Sequence, residues 1–205
     1  MTVIDPTLWI REFATLIDEN VDQLTELDAA IGDADHGGNM RRGTAAAVAA
    51  LDANPPTSAA DALKRTGMAL IQTVGGASGP LYGTFFLRCA AVTDAQLDIA
   101  GFATAFRAGL EGIVARGKAE PGDKTMYDAL APVADILYES ATAGGDLMWA
   151  LDAAVAAATA GLDATKPMQA RKGRASYLGE RSVGHVDPGA ASARLLVLAA
   201  QRAAR

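Results

Sequence analysis

The chain has 205 residues, enough for one domain with a sizeable core; half of them are hydrophobic but only 5% are aromatic. Alanine dominates the apolar set, and it is both the strongest helix former and small enough for close helix packing, so the composition predicts an all-α fold. A net charge of −6 excludes a general nucleic-acid binder, which needs a basic face, and a single cysteine, Cys89, excludes an intrachain disulfide. The apolar neighbours of Cys89 predict a small buried residue rather than a nucleophile. Asp5, Arg11 and Glu12 interrupt any apolar run at the start, and no stretch reaches about 18 uncharged apolar residues. Neither a signal peptide nor a membrane span is expected, and the expected setting is cytoplasmic.

Ile10, Phe13, Ile17, Val21, Leu24 and Leu27 recur at steps of three and four, which predicts one amphipathic helix over 7–28, closed by Gly32. A second, alanine-rich helix is predicted over 38–53. Asn54-Pro55-Pro56 stops it, because proline lacks an N–H and excludes the helical shape before it. Ser58 is a fair N-cap for a third helix, which ends in Gly75-Gly76-Ala77-Ser78-Gly79-Pro80. The fourth runs over 80–92. The fifth spans 98–116, with Phe102, Phe106, Leu110 and Ile113 on one face. A loop over 117–123 leads to a sixth helix at 124–142 and a seventh at 146–162. Residues 163–187 are polar and weakly periodic. The last helix starts near Asp187-Pro188-Gly189, with proline favourable in the first turn, and runs to the C-terminus. Eight helices, no convincing strand and short connections predict a single domain over 1–205, an antiparallel up-down bundle.

The conspicuous loops fall at alternate junctions: 28–39, 75–80, 117–123 and 163–189. In an up-down bundle these lie at one end. The first loop carries Asp28, Asp33 and Asp35, whose carboxylates repel one another unless something positive sits between them. A hard divalent cation such as Mg²⁺ is one answer. The same loop carries His36, then Gly37-Gly38-Asn39-Met40, which can start a helix whose free N–H groups favour phosphate oxygens. Taken alone, the loop is equally readable as a solvated acidic turn that caps two helices. The small residues of 75–79 either let a backbone approach a phosphate or make a flexible turn. Lys118 and Lys124 either face a ligand or lie on the solvated surface. Between Ala164 and Arg181 there are five basic residues against one acid, Glu180. A basic loop facing an acidic one is what a metal-bound polyphosphate requires. No Gly-x-x-x-x-Gly-Lys-Ser/Thr pattern occurs, and the glycine run lies between helices, so neither P-loop nor Rossmann context is met. His36 is read as functional from its neighbours; His185 stays open.

Four blocks resemble one known family: Ile31-Gly32-Asp33-Ala34-Asp35-His36-Gly37 with Asn39-Met40; the run from Gly75 to Thr84; the run from Gly117 to Met126; and Met168 to Arg181 continuing to Asp187-Pro188-Gly189. The chain is similar throughout to the nucleotide-binding L subunit of bacterial dihydroxyacetone kinase. The resemblance implies an antiparallel eight-helix barrel with a nucleotide at one end. It implies two Mg²⁺ ions on Asp28, Asp33 and Asp35, holding the phosphates of ADP or ATP. It places nucleotide contacts at His36, Gly37, Gly38, Asn39, Ala77, Ser78, Gly117, Met126, Arg174, Asp187, Pro188 and Gly189. It also implies a K-type subunit that holds the sugar and a phosphohistidine carrier, fed from phosphoenolpyruvate, that recharges bound ADP. The length of the chain, without a fused K-type domain, fits that arrangement.

In phosphoryl transfer, positioning and charge neutralisation dominate. Arg174, with Lys172, is expected to add positive charge near the phosphates, while no general base for the sugar is expected on this chain. Two other readings stay open. One is an ATP-consuming kinase subunit for another short sugar or polyol. The other is a nucleotide-loaded protein that binds a transcription regulator, since the acidic charge disfavours DNA but allows a protein partner. A homodimer is also open.

Overall fold

In the computed structural model, residues 2–94 and 96–204 are described. Among them the chain forms helices α1 (Pro6–Glu19), α2 (Val21–Ile31), α3 (His36–Ala53), α4 (Ala59–Thr73), α5 (Ser78–Val92), α6 (Ile99–Gly117), α7 (Met126–Thr142), α8 (Leu147–Ala164) and α9 (Pro188–Ala203). A 3-10 helix covers Arg174–Ser182. The described residues contain no strand, and Ile4 makes two isolated bridges, to Leu97 and to Ala204.

The all-helical expectation holds, with one correction to the count. The helix expected over 7–28 is two helices that meet at Asn20. Asn20 leaves helical geometry at φ −115°, ψ 13°. Its backbone N–H donates to the Ile17 carbonyl at 3.2 Å, and its Nδ2 to the Leu16 carbonyl at 2.7 Å. Those bonds satisfy the last carbonyls of α1 and let the chain turn. The apolar spacing hides the break because Leu16 and Ile17 before it and Leu24 after it are all buried. The other starts are fixed by capping side chains. Asp5, Ser58, Asp98, Asp146 and Asp187 each accept from a backbone N–H in the first turn of the helix that follows. Thr125 and Asp128 form a reciprocal capping box at α7.

From α3 to α9, each helix packs against its neighbour in sequence; α9 then packs on α1, and α1 on α3. Helix α2 lies against α3, α9 and the 3-10 helix instead of taking a place in that succession. The extra helix therefore leaves the alternation of junctions intact. The core is centred on Trp9, Phe85, Phe86, Phe102 and Phe106, all fully buried and meeting edge to face. Such pairs add about 0.5–1.5 kcal/mol each beyond their buried area. Trp9 Nε1 donates to the Leu196 carbonyl at 2.9 Å, tying α1 to α9. Helix α8 is long and apolar enough to match a membrane span by length and composition. It nevertheless carries exposed Asp152 and Asp163 and packs on α7 and α9.

Candidate functional site

The acidic loop is built around Asp28, which is buried in the last turn of α2. Its Oδ2 accepts from the backbone N–H groups of Asp35, at 2.8 Å, and His36, at 3.1 Å. Those two bonds fold the loop back over the carboxylate. A Cβ at Gly32 would lie 2.0 Å from Asp28 Oδ1, so only glycine fits there. Ala34 sits in the left-handed region at φ +61°, a conformation that costs an L-residue roughly 1–2 kcal/mol. The result is that one carboxylate oxygen from each of Asp28, Asp33 and Asp35 lies within 4.8 Å of the others. All three donors are hard oxygens, and their spacing suits a divalent cation that binds oxygen at about 2.0–2.1 Å.

Helix α3 begins at His36 with no side-chain bond from its N-cap residue, Asp35. The His36 ring is buried between α5 and α9. Its Nδ1 lies 3.2 Å from Ser78 Oγ and its Nε2 lies 2.9 Å from Ser192 Oγ. Burial lowers the ring below its usual range, against the raising pull of Asp28 and Asp35.

The opposite wall is held by Lys124, which was equally readable as surface. It is 1% exposed, and its backbone is left-handed at φ +62°. Its Nζ donates to the carbonyls of Met168 at 3.0 Å, Ser182 at 2.6 Å and His185 at 2.5 Å. Burial lowers its pKa, opposed by the nearby Asp187 carboxylate. One ammonium thus pins three points of the polar segment 165–187. Arg171 N–H to the Asp123 carbonyl, Ala170 N–H to Ser182 Oγ and Asp187 N–H to Thr165 Oγ1 add further ties. The pinned segment reaches across to the acidic loop, where Arg174 Nε sits 2.8 Å from Asp33 Oδ2. Asp187 caps α9 by accepting from Ala190 N–H at 2.7 Å, and burial pushes its carboxyl up to about 7.

These walls enclose a cavity of about 550 Å³, within the usual size range of small-molecule sites. Asp28, Asp33, Asp35, His36, Asn39, Ala77, Ser78, Gly117, Met126, Arg174, Asp187, Pro188 and Gly189 all line it. Gly37 and Gly38 do not. A Cβ at Gly37 would lie 2.2 Å from the Val21 carbonyl, so that glycine allows α3 to pack closely on α2. Gly38 faces a shallow outer groove with Arg41 and Arg42. The loop 117–123 enters through Gly117 and Ala119; Lys118 is exposed with a left-handed backbone at the end of α6. His185 contributes its carbonyl to Lys124. Sequence reasoning missed the apolar part of the lining, Ile31, Leu81 and Ile113, together with Arg116. The apolar three look like ordinary core positions by periodicity. Their place in the last or first turn next to a special loop is the signal that separates them.

A model of the DAK2 domain matches residues 30–202. The chain belongs to the DAK2-domain family. Within it, the PEP-dependent dihydroxyacetone kinase, ADP-binding subunit DhaL, of Escherichia coli (strain K12) is 47% identical over 199 residues, 94% of this chain and 95% of that protein. The corresponding subunit of kinase 1 from Listeria innocua is 46% identical over 92% of this chain and 90% of its own length. Human triokinase/FMN cyclase is 37% identical over 87% of this chain, but that stretch is 31% of the longer protein. The dihydroxyacetone kinase of C. freundii has the same fold, with a TM-score of 0.73 at 24% identity over 96% of this chain and 34% of that one. The C. freundii enzyme in complex with AMP-PNP and Mg²⁺ aligns with a TM-score of 0.71.

Proposed function

We propose that this DAK2-family chain is the ADP-binding subunit of a phosphoenolpyruvate-dependent dihydroxyacetone kinase, holding a Mg²⁺-bound nucleotide in the cavity between the aspartate loop and the basic segment. The observation that carries the reading is the meeting of Asp28, Asp33 and Asp35 with Arg174 and Lys172 around one cavity of about 550 Å³. Near-full-length identity of 47% to an ADP-binding subunit supports it. Asp28, Asp33 and Asp35 would hold the metal, with two ions as the fuller form. Mg²⁺ held by these carboxylates would supply positive charge that offsets the charge of the phosphates.

This chain's own residues position and screen. The first turn of α5 has no side-chain cap and would offer backbone N–H groups to anionic oxygens, while α3 gives its His36 N–H to Asp28. Arg174 supplies a fork of donors that matches phosphate, and Lys172 adds a point charge. Ile31, Leu81, Ile113 and Met126 offer an apolar face for a flat ring. Asn39, Ala77, Ser78, Gly117, Asp187, Pro188 and Gly189 complete the contacts. No group in the cavity is needed to take a proton from a sugar, because the sugar belongs to a separate K-type subunit. A phosphohistidine carrier subunit recharges ADP without its leaving. The closed succession of α1 and α3 to α9 supports an eight-helix barrel with α2 as an addition. A soluble, cytoplasmic setting accompanies that assembly.

The test is reconstitution with a K-type subunit and the carrier proteins. Dihydroxyacetone phosphate forms from phosphoenolpyruvate, and the ADP stays with the chain throughout. Turnover with free ATP alone, with exchange of nucleotide each cycle, contradicts the recharging scheme. Absence of turnover with either donor contradicts the kinase reading.

A further inference from the structure

Arg42 is exposed on α3, one turn beyond Asn39, and lines the outer groove without lining the cavity. Its guanidinium is nevertheless tied down. Nη2 donates to Asn39 Oδ1 at 2.6 Å, and Nε donates to the Thr73 carbonyl at 2.9 Å. One side chain thus joins α3 to the end of α4, just before the glycine run 75–79. Arg41, exposed in the same groove, makes neither bond.

The orientation of the Asn39 amide follows from the donor count. A guanidinium carries only N–H donors and stays charged at any working pH. The amide atom 2.6 Å from it is therefore the oxygen, and the NH2 group takes the other edge of the plane. Asn39 is 8% exposed, yet it lines the cavity, and no group among the described residues accepts from its Nδ2. Gly75, which also lines the cavity, lies flat against this amide. A Cβ there would sit 2.8 Å from Oδ1 and 2.9 Å from Nδ2, so a larger residue would push the amide out of place. Asp35 lies four residues earlier on the same helix face, and its carbonyl accepts from the Asn39 N–H at 2.9 Å. The NH2 group therefore stands beside the aspartate loop.

We propose that Arg42 is a positioning residue: it holds the Asn39 amide with its oxygen toward the groove and its NH2 toward the cavity, as a donor to a phosphate oxygen of the bound nucleotide. This rests on the cavity being the nucleotide site. The flipped amide would set its NH2 against the guanidinium, donor on donor. It would also turn lone pairs toward phosphate oxygens, on a wall that already carries the carboxylates of Asp28, Asp33 and Asp35. Without Arg42 nothing fixes which edge of the amide faces the cavity, and the acidic wall loses its one neutral amide donor of fixed direction. Arg42 stands outside the cavity, so its effect passes through Asn39.

The experiment is a double-mutant cycle in the full chain, with Mg²⁺-ADP affinity read by calorimetry. Arg42→Met removes the donors and keeps the stem, and weakens binding about tenfold, the scale of one hydrogen bond to a charged group. Asn39→Ala weakens it at least as much. In the Asn39→Ala background, Arg42→Met changes affinity by less than about twofold, because the group it positions is gone. Arg41→Met removes the same charge from the same groove and also costs less than about twofold. The second readout is the ¹H–¹⁵N spectrum of the side-chain amides, where Asn39→Ala assigns the Asn39 NH2 pair. Mg²⁺-ADP shifts that pair in the wild type and leaves it nearly unmoved in Arg42→Met. Losses that multiply in the double variant, an Arg41→Met loss equal to that of Arg42→Met, or Arg42→Met affinity within about twofold of wild type overturns the proposal. A wild-type NH2 pair that stays in place while Mg²⁺-ADP binds overturns it even if Arg42→Met does not fold. A wild-type chain that binds no Mg²⁺-ADP overturns the nucleotide reading itself, and the proposal with it.

Discussion

Replacing Lys124 with methionine removes one ammonium and leaves its stem, so it isolates the pin that holds segment 165–187. Three carbonyls lose a charged donor: Ser182, buried, and Met168 and His185, which can reach water. Each hydrogen bond to a charged group contributes roughly 1.5–3 kcal/mol net. Against this stands the cost of keeping an ammonium out of water, several kcal/mol, which the variant no longer bears. A buried acceptor left unpaired costs about 1–3 kcal/mol, and with one such carbonyl, Ser182, and two that can reach water the net loss is about 3 kcal/mol. Urea unfolding followed by far-UV circular dichroism measures that loss. Limited trypsin digestion reads it locally, because Arg171, Lys172 and Arg174 lie on the released segment, and cleavage there should precede cleavage elsewhere. Arginine at 124 should not restore the wild type, since a planar fork cannot place three donors where one ammonium does. A Lys124→Met protein within about 0.5 kcal/mol of wild type, the range of an ordinary surface change, with an unaltered tryptic pattern, would refute the pin.

Ala34→Gly should stabilise the chain by roughly 0.5–1 kcal/mol, because relief of the left-handed alanine exceeds the added freedom of the unfolded chain; a lower urea midpoint would contradict this. Gly32→Ala should displace the Asp28 carboxylate and weaken Mg²⁺-dependent nucleotide binding at least tenfold in calorimetry; unchanged affinity would show that Asp28 needs no such cradle. Burial raises the Asp187 carboxyl from 3.8 to about 7, so between those values the folded chain holds a proton that the unfolded chain has lost. Stability from this group therefore falls as pH rises through that window. His36, lowered by burial, contributes the opposite slope below 6.5. Asp187→Asn should gain stability relative to wild type as pH rises from 4 to about 7. A difference that does not change with pH removes the buried-carboxyl explanation.

The junctions carried more information than the helices between them. Glycine, proline and acidic residues gather at these junctions for backbone and solvation reasons, so their clustering at 28–39, 75–80, 117–123 and 163–189 is visible without coordinates. The structure brings residues of all four loops to one cavity. Asn20 was invisible because a helix break that preserves the apolar face leaves the period undisturbed. The 3-10 helix at Arg174–Ser182 was unreadable for a different reason. Its shape is set from outside by Lys124, a residue some fifty positions away whose charge marks it as surface. Ser192 was hidden because it matches a core position in an apolar helix, and only its contact with the His36 ring marks it.

The most direct measurement of the central claim is isothermal titration of Mg²⁺-ADP into the wild-type chain and the Asp33→Ala and Asp35→Ala variants, with and without Mg²⁺. Nucleotide binding through Mg²⁺ on the aspartate loop predicts tight binding to the wild type that collapses in either variant and whenever Mg²⁺ is withheld. Wild-type affinity in both variants, or binding that does not depend on Mg²⁺, would contradict it.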